Sequence, residues 1–142
     1  MIDYIKFKLL EVAISKILKN EYLEFSAFVS ESTGEVTKHI AKFHFLNITV
    51  YETGSVYVSG SLHKFWNSVN NIKAPNFKKI DKGYNGNQYS CIDLLKTIKY
   101  LEYIFNCSSN QMQIKSFEIG LNLTVKFNPR EFIKGLLYHK GK

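Results

Sequence analysis

Residues 4–18 read YIKFKLLEVAISKIL, and their hydrophobic period changes within this stretch. Ile5, Phe7 and Leu9 alternate with polar or aromatic side chains, which is the pattern of a half-buried β-strand. From Leu9 onward the apolar residues recur at the 3.6-residue spacing of an amphipathic helix. The stretch therefore predicts a strand followed by a short helix that ends near Asn20.

The rest of the chain continues this mixture of periods. Further strands are predicted over residues 22–30, 35–45, 48–52, 55–61 and 114–126, and helices over 91–106 and 129–138. In two of the strands the alternation predicts which residues are buried: Leu23, Phe25, Ala27 and Val29, and Phe117, Ile119, Leu121, Leu123 and Val125. These elements predict an α+β fold in which helices pack on one face of an antiparallel sheet, ferredoxin-like or RRM-like.

Length and composition limit the organisation of the chain. With 142 residues, of which 45% are hydrophobic and 22% charged, the chain is predicted to form a single domain over 1–142 and is too short for a multidomain enzyme. Residues 68–88 form the one long irregular stretch, and such a loop is commonly functional or mobile.

The charge of the chain is unevenly distributed. The formal net charge is +7; residues 1–60 carry six lysines against seven acidic residues, whereas residues 61–142 carry thirteen basic residues against five acidic ones. The preference for lysine over arginine is typical of AT-biased codon usage, but such bias does not explain the excess of bases over acids. The excess therefore indicates an anionic partner.

The sequence predicts a cytoplasmic protein that does not enter a membrane. No segment approaches the roughly 18 consecutive apolar residues of a membrane-spanning helix, and the first residues do not resemble a signal peptide. Cys91 and Cys107 lie on one predicted helix, about 24 Å apart, so they cannot pair with each other. Unpaired cysteines fit a reducing compartment.

If the apolar residues face the helices, the other face of the sheet is open. Lysines, aromatic rings and amides on one sheet face suit single-stranded nucleic acid, because they supply cations for phosphates, rings for stacking and amides for base edges. A polar face in contact with water would have the same composition, so both interpretations remain open. The predicted members of this face are Tyr4, Lys6, Lys8, Lys42, His44, Tyr57, Ser59, Ser61, Glu118, Asn122 and Lys126.

The most distinctive segment, residues 58–67, reads VSGSLHKFWN. Its Ser-Gly-Ser run exposes backbone N–H groups at a strand end, where an anion such as phosphate could bind beside Lys64. Alternatively, the segment is a turn whose Phe65 and Trp66 close the end of the core.

Three segments together resemble a known family. VSGSLHKFWN, YNGNQYSCIDLLKTIKYLE and FEIGLNLTVKFNPREFIKGLLYHKGK are similar to the amino-terminal region of phage and plasmid replication initiation proteins of the filamentous-phage gene-two type. The resemblance covers most of residues 50–142. The residues that match the family pattern are Gly60, Ser61, Lys64, Phe65, Asn85, Glu118, Gly120 and Asn122.

This resemblance implies rolling-circle replication. Such initiators bind an origin and nick one strand with a tyrosine that remains attached to the 5′ phosphate, and they use a divalent metal held by a His-hydrophobe-His pair. None of the four histidines forms that pair: His39, His44, His63 and His139. We therefore expect a DNA-binding portion without its catalytic segments, inactive as a nickase by itself, with no cofactor in this chain although a complete member would need the metal.

Neither a metal site nor a catalytic tyrosine can be assigned from the sequence. His44 and Glu118 are predicted to share the open face, but two ligands are too few for a hard divalent ion. Tyr100 and Tyr103 lie on the long predicted helix, where packing on the sheet explains them as well as catalysis does.

The sequence thus predicts DNA, single-stranded or in an origin hairpin, as the partner. The predicted DNA-binding residues are Ser59, Ser61, His63, Lys64, Phe65, Trp66, Asn67, Lys73, Lys78, Lys79, Lys82 and Asn122. Lys64→Ala is expected to lower affinity without unfolding the domain. The alternative is a protein-interaction or assembly module of a mobile element, which would bind protein through its aromatic cluster and exposed sheet.

Overall fold

The computed structural model describes residues 2–75, 83–120 and 126–138. The strands in these ranges are β1 (Ile2–Leu9), β2 (Phe25–Val29), β3 (Val36–Phe43), β4 (Leu46–Tyr51), β5 (Val56–Gly60) and β6 (Met112–Ile119). The α-helices are α1 (Ile14–Leu18), α2 (Leu62–Val69), α3 (Cys91–Phe105) and α4 (Pro129–Tyr138). The predicted α+β class with an antiparallel sheet is confirmed.

The sheet is antiparallel throughout, in the order β2-β3-β4-β5-β1-β6. Strands β2 to β5 form a meander, and β1 lies between β5 and β6. Lys6 of β1 is paired with Ser59 on one side and Ser116 on the other. Because directly paired residues point to the same face, these registers determine which side chains share each face of the sheet.

The hydrophobic core lies between the sheet and helices α1 to α3. Ile5, Phe7 and Leu9 are buried there, as the alternation in β1 predicts. Phe65 of α2 and Leu101 of α3 belong to the same buried cluster. The helices thus cover one face of the sheet, and the other face carries the polar half of each strand.

The predicted burial is wrong at the two edge strands. Ala27 and Val29 of β2 and Phe117 and Ile119 of β6 are exposed. The alternation identifies the correct face of each strand, but burial also requires a helix over that face, and the core helices lie over the central strands. Leu121, Leu123 and Val125, the other residues predicted to be buried in the last strand, lie outside the described residues.

A β-bulge at Lys115 shifts the alternation in β6. Lys6 is paired with Ser116 and the next residue, Phe7, with Ile114, so Lys115 has no partner across the strand. Ile114 and Phe117 consequently face the helix side although they are three residues apart.

The sequence does not predict α2, and of the three helices that it does predict only α1 begins at a different residue. α1 begins at Ile14 rather than near Leu9, because β1 continues through Leu9 and Glu11 then adopts a left-handed backbone with φ 55°. α3 begins as predicted, with a capping box between Ser90 and Asp93. At α4 the backbone N–H of Arg130 donates to Asn128 Oδ1 at 3.1 Å, so Asn128 caps the start of the helix.

Gly60 ends β5 where no other residue would fit. Its φ is +148°, and a Cβ at this position would collide with the backbone carbonyl oxygen of Phe45 and with Leu46. The same residue is paired with Ile5 of β1 and with Leu46 of β4. The glycine of the Ser-Gly-Ser run is therefore required by close backbone packing.

Candidate nucleic-acid interface

The sheet divides the predicted DNA-binding segment between its two faces. Ser59 lies on the open face, where it is paired with Lys6 and Asn47. Two residues later, beyond the inward-facing Gly60, Ser61 caps α2, accepting a hydrogen bond from the Lys64 backbone N–H at 3.3 Å. Residues 62–69 form a helix on the core side of the sheet, so Ser59 and the helical residues do not share one surface.

Three of the predicted DNA-binding residues are buried. The exposed fractions are 0% for His63, 0% for Phe65 and 1% for Asn67. Phe65 packs within the core beside Phe43 and Tyr100, with ring centroids 5.8 and 6.0 Å away. This is the structural role that the alternative interpretation assigns to Phe65, and DNA cannot reach these three side chains in this conformation.

His63 and Asn67 instead bind the segment that precedes α3. Asn87 Oδ1 accepts hydrogen bonds from His63 Nε2 at 2.9 Å and from Asn67 Nδ2 at 2.6 Å. Asn67 Nδ2 also donates to the backbone carbonyl of Tyr84 at 2.7 Å. Sequence analysis missed Asn87, because an asparagine in a loop gives no indication of its partners. This network fixes residues 84–87 against α2.

A second set of contacts continues this network into α3. The hydroxyl groups of Tyr89 and Thr97 are 2.8 Å apart, and Thr97 Oγ1 donates to the Asp93 carbonyl at 2.7 Å. Burial raises the pKa of Tyr89 to about 12, so its hydroxyl stays protonated at neutral pH. These hydrogen bonds fix Tyr89 against the first turns of α3.

The other predicted DNA-binding residues lie apart from Ser59 or outside the described ranges. Lys64 and Trp66 are half-buried on α2, and Lys73 is exposed after it. The Lys64 side chain lies against Gly83, where a Cβ would come within 2.7 Å of Lys64 Cδ. The remaining four lie outside the described residues: Lys78, Lys79, Lys82 and Asn122.

The open face of the sheet brings together lysines, aromatic rings and hydroxyl groups. The lysines on this face are Lys6, Lys8, Lys38, Lys42 and Lys115. Glu118, paired with Tyr4, is the one carboxylate that the described strand pairings place there. The face therefore carries a net positive charge, as contact with a polyanion requires.

Tyr57 occupies the centre of this surface. Lys6 Nζ lies 5.2 Å from the centroid of its ring, and Lys8 Nζ lies 6.0 Å from it. Both distances are within the range of cation–π attraction. The ring of Tyr51 meets Tyr57 edge to face, with centroids 5.9 Å apart and planes at 88°. A half-buried aromatic platform thus lies within reach of two cations from the neighbouring strand β1.

A shallow cleft surrounds the Tyr57 platform. Its volume is about 690 Å3, and seven of its nine lining residues carry a hydroxyl group. Hydroxyl groups can both donate and accept hydrogen bonds, and therefore suit base edges, sugars and phosphate oxygens. The lining residues are Tyr4, Lys6, Thr49, Tyr51, Thr53, Ser55, Tyr57, Ser59 and Lys115.

His44 and Ser61 are not part of the open face, contrary to prediction. His44 lies in the turn after β3, where Nδ1 is 2.8 Å from Ser68 Oγ of α2. Glu118 lies on β6, four strand spacings from β3, or about 19 Å at 4.8 Å per spacing. His44 and Glu118 therefore cannot hold one metal ion, and these residues do not fit the metal that the family resemblance implies.

The tyrosines of α3 also lack an arrangement for nucleophilic attack. Tyr100 packs against Phe65, and the hydroxyl group of Tyr103 lies 3.0 Å from that of Tyr22. This hydrogen bond raises the pKa of Tyr22 to about 12. The hydrogen bond joins α3 to the turn before β2.

Several residues of the open face were not predicted, among them Lys38, Thr49, Tyr51 and Lys115. The first three could have been found, because they continue the period-two alternation in β3 and β4. For Lys115 the sequence signal is a break in the alternation, because two polar residues separate Ile114 from Phe117 where the bulge lies.

Comparisons of the chain with protein-family models, with curated proteins and with solved structures find no match. Within the described ranges, no helix has both the length and the apolar character needed to cross a bilayer. The described residues likewise contain no group of three or more His, Cys, Asp or Glu placed to hold a metal ion. The open face is thus the best candidate for a functional site.

Proposed function

We propose that this protein binds single-stranded DNA on the open face of its sheet, as the DNA-binding part of a system that initiates rolling-circle replication of a phage or plasmid. The observation that carries the proposal is the position of Tyr57 within 6.0 Å of both Lys6 Nζ and Lys8 Nζ, on a cationic face. The replication role rests on the family resemblance of residues 50–142.

Each component of the face has a counterpart in a DNA strand. A base can stack on the Tyr57 ring, and base–aromatic stacking contributes about 1–3 kcal/mol per base. Lys6, Lys8 and Lys115 can neutralise phosphates on either side of that base. The hydroxyl groups of the cleft can hydrogen-bond to whatever base edge is present, so we expect little sequence specificity from this face.

The geometry favours a single strand over a duplex. In a duplex the faces of the bases are stacked on one another and cannot reach a ring that lies within a sheet surface. A single strand can turn its bases outward, one onto Tyr57 and a neighbour towards Tyr51, whose ring is 5.9 Å from Tyr57. A hairpin origin offers such bases in its loop.

In this proposal the three buried residues of the predicted site, His63, Phe65 and Asn67, stabilise the packing of α2 and do not contact DNA. Lys64 and Trp66 belong to α2, on the helix side of the sheet, and the proposal assigns them no contact with DNA. Lys73, exposed after α2, is kept as a contact for the flanking DNA backbone. Both cysteines, Cys91 and Cys107, are free thiols, which supports the proposed cytoplasmic location. We assign no nicking chemistry to the described residues.

The proposal is tested by fluorescence anisotropy with a labelled oligothymidylate and the full chain. Tyr57→Ala should weaken binding about 10- to 100-fold, since it removes one base-stacking platform. The matched control is Tyr103→Ala, which removes an exposed tyrosine from α3. Equal effects of the two substitutions would contradict the proposal.

The form of the nucleic acid is tested with the same assay. A single strand and a hairpin with a thymidine loop should bind, and a blunt duplex of the same length should bind more weakly. A chain that is folded by circular dichroism but binds none of the three would rule out the proposal and favour an interaction module without nucleic acid.

A further inference from the structure

A groove on the helix side of the sheet is lined by apolar side chains and is open to solvent. It lies between α3 and the β1–β6 pair and has a volume of about 230 Å3. Its floor is formed by Phe7 of β1 and Ile114 of β6, and its wall by Leu94 and Ile98 of α3. Such a groove has the shape and character that accept one face of an amphipathic helix.

The apolar surface continues from the groove along β6. Phe117 and Ile119 point to the same side as Ile114 and are 56% and 73% exposed. β6 lies at the edge of the sheet, and no other strand within the described ranges pairs with its outer side. Long apolar edge strands are rarely exposed to solvent in natural proteins, because such an edge promotes association with another chain.

The chain also carries an amphipathic helix, α4, with exposed apolar residues in its described first turns. Phe132 and Ile133 of α4 are 57% and 54% exposed, and Phe127, just before the helix, stacks near Phe132 with ring centroids 5.5 Å apart. α4 is ten residues long, or about 15 Å, which is enough to span the wall from Leu94 to Leu101. The same chain thus exposes both the apolar groove and an amphipathic helix, α4, that matches it.

We propose that the protein forms a symmetric dimer in which α4 of each copy lies in the groove between α3 and β6 of the other. In a dimer with two-fold symmetry, each copy supplies one helix and one groove, so the apolar surfaces of both copies are covered. A second copy is favoured over an unrelated partner because this chain itself carries the complement to its groove. It is favoured over the chain's own α4, because within one chain Phe132 and Ile133 remain exposed.

The first experiment measures the mass of the full chain by sedimentation velocity over a range of concentrations. The unmodified chain should be a dimer. Ile133→Glu on α4 and Ile114→Glu in the groove should each raise the dimer dissociation constant about 100-fold or more, because each places a charge in a buried apolar contact. Both residues are exposed in the single chain, so neither substitution should unfold it.

The control substitution is Ile92→Glu. Ile92 is 64% exposed but lies two residues before Leu94, on the opposite side of α3 from the groove. This variant should remain a dimer. A chain that is monomeric at every concentration, or a dimer that survives either Ile133→Glu or Ile114→Glu, overturns the proposal.

A crosslinking experiment identifies whose helix occupies the groove. In a background with Cys91→Ser and Cys107→Ala, the substitutions Ile98→Cys and Phe132→Cys place one thiol in the groove and one on α4. Oxidation should produce a disulfide-linked dimer on a non-reducing gel. A disulfide within a single chain would show that α4 folds back onto its own groove and would overturn the proposal.

Discussion

The imidazole ring of His63 stacks on the phenol ring of Tyr89, with ring centroids 4.7 Å apart and planes at 19°. His63 lies in α2, and Tyr89 immediately precedes the N-cap of α3. Together with the hydrogen bonds to Asn87, this contact joins the two helices through their polar side chains. The histidine that resembles a DNA ligand in the sequence is thus an internal support of the fold.

His63→Ala should destabilise the protein by about 2–3 kcal/mol, because it removes a buried hydrogen bond and a stacking contact and leaves a cavity. Urea denaturation at neutral pH measures the change. The control is His44→Ala, which removes an exposed histidine and should cost less than about 1 kcal/mol. Equal costs would show that the buried network contributes little.

Gly60→Ala should be much more costly than Gly34→Ala. A methyl group at Gly60 meets the backbone of Phe45 and Leu46, which cannot move without disrupting the β3–β4 turn, whereas no atom lies within 4 Å of a methyl group at Gly34. Both glycines have positive φ. We expect a loss of about 3 kcal/mol or more at Gly60 and about 1 kcal/mol at Gly34, measured by urea denaturation. Similar losses would mean that φ alone determines the cost.

The contribution of Asp93 to stability should depend on pH. The side chain and backbone N–H of Ser90 donate to Asp93 Oδ2 at 2.7 and 2.9 Å, and these hydrogen bonds hold the pKa of Asp93 below its ordinary 3.8. Because the folded-state pKa is lowered, the stabilisation is present above the ordinary value and is lost as the pH falls through the lowered one.

The measurement compares the urea midpoints of the unmodified chain and Asp93→Asn between neutral pH and about pH 2. The unmodified chain should be the more stable at neutral pH, and the difference should shrink on acidification. A difference that is constant over this range would show that the capping box is insensitive to the charge of Asp93.

The salt dependence of DNA binding should identify the face that binds DNA. Lys6→Gln combined with Lys8→Gln removes two cations from the open face, and should reduce the slope of log affinity against log salt by about 1.4, or about 0.7 per phosphate of a single strand. Lys64→Ala, on the opposite side of the sheet, should leave the slope unchanged. The reverse result would place the DNA on α2, as the family-like motif indicates, and refute the open-face proposal.

The architecture could be predicted from local patterns, but the environment of each element could not. The alternation in β1 correctly predicts a buried strand face, and α3 begins at residue 91, as the sequence predicts. The exposure of Val29 and Phe117 depends on where helices from distant parts of the chain pack, and no local pattern contains that information.

The candidate site could not be predicted from the distribution of charge along the chain, because that distribution does not show which charges share a face of the sheet. Residues 1–60 are close to neutral, yet four of the five lysines of the open face come from them. The glutamates of this half lie in turns and at strand ends, namely Glu11, Glu21, Glu24, Glu31, Glu35 and Glu52. Folding therefore separates charges that are balanced in the sequence.

The bulge at Lys115 affects how this strand can be compared with strands of other proteins. Before the bulge the even-numbered residue Ile114 faces the helices, whereas after it the odd-numbered residue Phe117 does. An alignment without a gap at this position would match inward residues of one protein to outward residues of another over half of β6. A search that allows a one-residue insertion there would match inward residues with inward residues. Distant relatives of this chain should be sought with such an insertion allowed.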